Sequence, residues 1–127
     1  DRYERVLMLE SAMAQDIDDH RLVPYIQLHE FEALILADPQ KLDWEYLEHD
    51  GPINNLKAMV DGQNPELIND GATTAPSKRI LTEIPEYDKV TAGVSVAARI
   101  GIQTLRMKCR HFNEWLTTLE QLAGVKT

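Results

Sequence analysis

PYIQLHEFEALILAD, residues 24–38, is the stretch on which the reading of this chain turns. Val23 to Leu28 is rich in β-prone residues, and it passes directly into a helix-prone run opening on His29, Glu30, Phe31 and Glu32. An imidazole and two carboxylates therefore stand where a strand is expected to end and a helix to begin. In α/β folds that junction is a favoured place for sites. A lone strand cannot build a sheet, so Val23–Leu28 is expected to pair with a segment outside this chain, with another chain, or with its own copy across a homodimer axis.

Outward from this segment the pattern is helical. Spacing, prolines and turn residues predict helices at about 2–19, 29–37, 39–49, 52–61, 65–68, 76–83, 87–99, 102–108 and 110–123. Pro39, Pro52, Pro65 and Pro76 each fit a first helical turn, where a missing N–H costs nothing, and Asp38 and Asn64 are placed to cap two of these helices. Gly101 and Gly124 read as helix stops, and Asn69–Ala75 as a loop. The expected core draws on Leu34, Leu36, Leu42, Trp44, Leu47, Ile53, Leu56, Val60, Ile80, Leu81, Ile84, Val90, Val94, Leu105, Phe112, Trp115, Leu116 and Leu119. Tyr3, Val6, Leu9 (or Glu10), Met13 and Ile17 form a stripe on the first helix that needs a partner surface. The fold class expected is mainly α, the C-terminal part of an α/β protein, in one domain spanning 1–127. The helix-interior start and the unpaired strand both suggest a fragment of a longer chain.

Composition narrows the function. The chain has 127 residues and a formal charge of −8, which disfavours a surface broadly adapted to phosphates. Lys78–Arg79 and Arg106, Lys108 and Arg110 are the basic clusters. No apolar run is long enough to span a bilayer, so no membrane role is expected. The single cysteine, Cys109, excludes an internal disulfide framework and fits a reducing, cytoplasmic setting; no His/Asn arrangement near it suggests a nucleophile.

Three constellations could carry chemistry. His29, Glu30 and Glu32 offer the oxygen and imidazole ligands that suit a hard divalent cation such as Mg or Mn. On sequence chemistry alone the same residues better suit a helix start, with carboxylates on the positive end of the dipole and His29 as cap. HExxH zinc spacing is absent. Ser77, Lys78 and Arg79 open a helix after a polar loop and could bind phosphate at its N-terminus, or be an ordinary solvated first turn. His111 and Glu114 share a helical face, with a histidine hydrogen-bonded at a helix start as the main reading. Asp16, Asp18, Asp19 and His20 read as a solvated helix end.

Taken together, PYIQLHEFEALILAD (24–38), NPELINDGATTAPSKRI (64–80) and KCRHFNEWL (108–116) resemble the C-terminal half of a bacterial Toprim-like family of unknown function. The resemblance runs from about Val23 to Leu122. It implies a protein encoded beside an ATPase of the structural-maintenance or overcoming-lysogenisation type, acting against phage or foreign DNA. Toprim domains are metal-dependent catalysts on nucleic-acid phosphodiesters, so nucleic acid is the implied substrate of the complete protein. Their first-strand glutamate and Asp-x-Asp pair would lie before residue 1. Asp16-Ile17-Asp18 has the right letters but sits at a helix end. What carries over is Glu30 and Glu32, with His29, as candidates for an additional metal ligand, and Ser77, Lys78 and Arg79 as phosphate contacts, so that Glu30, Glu32 and Lys78 are the expected catalytic residues. The fragment alone is then expected to be inactive. The alternative is a non-catalytic helical module that docks the partner ATPase.

Overall fold

The computed structural model describes residues 1–28, 30–68 and 75–122. Helix dominates: α1 (Arg2–Ile17), α2 (Glu32–Ile35), a 3-10 turn (Pro39–Trp44), α3 (Asp50–Val60), a second 3-10 turn (Pro65–Leu67), α4 (Pro76–Glu83), a π turn (Lys89–Gly93), α5 (Val94–Ile100), α6 (Ile102–Lys108) and α7 (Arg110–Leu122). None of the helices among the described residues is long and apolar enough to cross a membrane. His29, most of the expected Asn69–Ala75 loop and Gly124 lie outside the described residues.

The expected strand is corrected. Among the described residues there is no strand, and residues 22–27 hold no regular element. Two of the backbone groups a ladder would use are taken by side chains instead. The Ile26 N–H donates to the Glu10 carboxylate at 2.7 Å, and the Val23 carbonyl accepts from the Trp115 indole N–H at 3.3 Å. Segment 22–27 is thus stitched to α1 and α7 by hydrogen bonds from side chains.

Most of the helices follow from local chemistry. Asp1 and Glu4 form a capping box at the start of α1, satisfying two of its orphan N–H groups reciprocally. Asn64 accepts from the Glu66 N–H as expected, whereas Asp38 makes no side-chain cap. Gly101 ends α5 at φ +86°, a left-handed geometry that glycine adopts without steric cost.

One core runs through α2, α3, α4 and α5, with Ile35, Leu42, Ile53, Leu56, Ile80, Ile84 and Val96 fully enclosed. Each such side chain contributes roughly 1.5–3 kcal/mol on burial. Five expected core members are instead exposed: Trp44, Leu47, Leu81, Val90 and Val94. For four of them the reason is a change of helical phase; Leu81, in the regular α4, lies one residue past the inward-facing Ile80. Residues 39–44 wind as a 3-10 turn and stop there, so Trp44 and Leu47 leave the face a continuous α-helix would have kept inward. The π turn inserts an extra residue before α5, rotating Ala92 and Val96 inward where Val90 and Val94 were expected. A smaller cluster of Tyr3, Val6 and Leu28, backed by Ile26, seats the first half of α1. In the second half, Met13 and Ile17 stay exposed, and at the ambiguous position Glu10 is the buried residue while Leu9 faces out.

Candidate functional site

The start of α4 joins two motif blocks that lie far apart in sequence. Ala75 at its N-cap has no side-chain acceptor, and Pro76 has no N–H. The Ser77 N–H is therefore the first donor in need of a partner. Glu30 supplies it: Oε1 accepts from the Ser77 N–H at 3.2 Å, and Oε2 accepts from the Ser77 hydroxyl at 2.6 Å. The negative carboxylate also sits at the positive end of the helix. Glu30 and Ser77 are both half-buried, and Lys78, next along the turn, is exposed. Arg79 lies against α3, where its Nη1 donates to the Met59 sulfur.

Glu32 has a different setting. Its side chain is 0% exposed. Oε2 accepts from the Tyr87 hydroxyl at 3.0 Å, while Oε1 is buried without a hydrogen bond and stands 3.6 Å from the Lys89 ammonium. Burial and the adjacent Glu32 charge push the Tyr87 phenol well above its ordinary pKa, so it stays a donor. Gly93 closes the arrangement, because a Cβ there would come within 2.7 Å of the Tyr87 hydroxyl. Glu32 was expected at the helix start as a metal ligand or a partner of the dipole, but the core encloses it against Tyr87 and Lys89 of the π turn.

A third carboxylate, Glu66, does for α7 what Glu30 does for α4. Cys109, which precedes α7, is a poor cap. Glu66, also 0% exposed, accepts from the His111 N–H at 2.9 Å, the Phe112 N–H at 3.0 Å and the Tyr3 hydroxyl at 2.9 Å. Burial, reinforced by Glu66, raises the Tyr3 phenol to about 12 despite an opposing hydrogen bond from Asn64. Burial chiefly, with Glu66 again, raises the Cys109 thiol to about 12, which makes it a poor nucleophile. His111 is the hydrogen-bonded helix-start histidine the sequence suggested; its Nε2 donates to Glu10 Oε2 at 2.8 Å.

Of the residues singled out in the sequence, the structure brings together Glu30 and Ser77, with Lys78 on the same turn. It separates Glu32 from them, since Glu32 faces Tyr87 and Lys89. His29 lies outside the described residues. Among the described residues no group of three or more His, Cys, Asp or Glu side chains could hold a metal ion. Glu30 is engaged through both oxygens, and Glu32 is enclosed, so these two do not by themselves fit Mg or Mn. Glu66 escaped sequence reasoning, as did the acceptor role of Glu10. Their partners are other segments of the chain, and only the poor N-cap at Cys109 hinted that a distant acceptor was needed.

Such an arrangement defines a helix-rich domain in which the starts of α4 and α7 are held by carboxylates from other parts of the chain. Residues 1–120 match the model of a family described as a domain of unknown function, DUF4276, and the chain belongs to that family. No curated protein and no solved structure matches it.

Proposed function

We propose that this chain supplies one wall of the phosphodiester site of a Toprim-like, metal-dependent nuclease, a cytoplasmic protein that acts with an ATPase partner against phage or foreign DNA. The observation that carries this reading is the meeting of Glu30 and Ser77. The two polar blocks that best marked the resemblance, around residues 30 and 77, join at one helix start. Glu30 is thereby held in a fixed orientation. Lys78 projects from the same turn, where its ammonium can neutralise charge on a phosphate. The Mg or Mn implied by the resemblance would draw on ligands beyond the described residues.

The test is Mg- or Mn-dependent cleavage of DNA and RNA by the intact protein. Lys78→Ala is expected to lower kcat by about 10²–10³, the usual effect of removing one transition-state stabilising group, and Glu30→Gln by about 10² or more, through loss of a carboxylate placed to act as acid or base. Unchanged cleavage in both variants removes these residues from the chemistry.

A second reading, a non-catalytic module that docks the ATPase, is favoured by the uncovered Leu9, Met13 and Ile17 on α1. Co-purification of the protein with the ATPase, together with no metal uptake by calorimetry, would support it over the first.

A further inference from the structure

Between α1 and α7, over residues 23 and 24, lies a cleft of about 320 Å³. Leu7 and Glu10 line one side, Val23 the base, and His111, Glu114 and Trp115 the other; no Lys or Arg lines it. The volume suits a side chain or a small ligand.

Its chemistry is one-sided. Glu10 is nine-tenths buried, and the Ile26 N–H and His111 Nε2–H both donate to Oε2. Glu114 adds a second carboxylate at the rim, where it meets Arg110 at 3.3 Å. Two carboxylates and no Lys or Arg line the cleft, so a complementary ligand donates hydrogen bonds and carries positive charge. Trp115 is fixed before any ligand arrives. Its indole N–H is tied to the Val23 carbonyl, and its ring stacks on Tyr25 at 4.8 Å. A fixed indole beside carboxylates is a good surface for a cation and its alkyl stem.

What surrounds the cleft points to a protein rather than a free amine. Leu7 is 48% exposed, and Met13 and Ile17, on the Glu10 side of α1, stay uncovered further along the helix. A small cation would leave all of them in water. We propose that the cleft receives a lysine or arginine side chain from a basic, partly apolar segment of a partner protein, the charge resting on Glu10 and Glu114 and the stem on Trp115 and Leu7. The formal charge of −8 favours encounter with such a segment. This inference stands apart from the phosphodiester reading and uses none of its residues.

The experiment is calorimetric titration of the intact protein with a short amphipathic peptide bearing one leucine face and one arginine face. Its twin with citrulline for arginine, and N-acetyl-arginine methylamide alone, are titrated alongside. The arginine peptide is expected to bind at least about ten-fold more tightly than the citrulline twin, a difference of about 1.4 kcal/mol. Glu114→Gln, a change on the surface, and Glu10→Gln should each weaken it. Equal binding of the two peptides, or binding indifferent to both substitutions, overturns the proposal. Equal affinity for the amide and the arginine peptide overturns the protein partner.

Discussion

The starts of α4 and α7 have the same problem and the same kind of solution, yet the two are set for different work. Each helix begins on a residue that caps poorly, Ala75 or Cys109, and each borrows a carboxylate from a distant segment, Glu30 or Glu66. Glu66 is fully enclosed and satisfies three donors from three residues, tying α1, the second 3-10 turn and α7 into one unit. Glu30 is half-buried, serves one residue, and has an exposed lysine beside it. A long-range carboxylate cap is therefore not a sign of function in itself. Exposure and neighbouring charge separate the cap that holds the fold from the one that can also meet a ligand.

This contrast predicts graded effects. Glu66→Ala leaves two backbone N–H groups and a phenol without their acceptor, and should cost about 3–5 kcal/mol in chemical denaturation. A loss below about 1 kcal/mol would erase the distinction between the two caps. Gly93→Ala drives a methyl group toward the Tyr87 hydroxyl and should cost about 1–3 kcal/mol, while loosening the Tyr87–Glu32 bond.

Alkaline pH probes the Glu66 side of the comparison. The Cys109 thiol ionises near 9.0 when unfolded and near about 12 in the fold, so its contribution is fully present below pH 9.0. As pH rises between those values the unfolded state sheds the proton first, and stability falls. Denaturation midpoints should therefore decline above about pH 9, and Cys109→Ala should flatten the early part of that decline. The smallest stability effect belongs to Glu30→Ala, about 1 kcal/mol as for an ordinary helix cap, read by thermal melting.

The helices could be read from the sequence because their signals are local. Pro76 and the periodicity after it placed α4 at Pro76–Glu83, and the break at Gly101 separated α5 from α6. The inward faces of α3 and α4 followed from Ile53, Leu56, Ile80 and Ile84. The exposed Trp44 and Val90 were misplaced because apolar spacing assumes a uniform α-helix, and 3-10 and π turns shift the phase without leaving a compositional mark. Val23–Leu28 has β-prone residues, but the donors and acceptors that claim its backbone come from Glu10 and Trp115, 16 and 92 residues away. The candidate site was half legible. Glu30 and Ser77 stood out separately as chemistry-bearing residues, but nothing local says that they touch. Glu10 and Glu66 look like ordinary surface acids until the fold encloses them.

The most direct test is Glu30→Gln in the intact protein, with metal-dependent phosphodiester cleavage and folding stability measured on the same samples. The carboxamide keeps the shape and one acceptor but removes the charge. A stability change of no more than about 1 kcal/mol with cleavage reduced by about 10² or more is the expected result. Cleavage that is retained, or that falls only in proportion to the unfolded fraction, would make Glu30 a structural cap like Glu66 and contradict the assignment of function to this helix start.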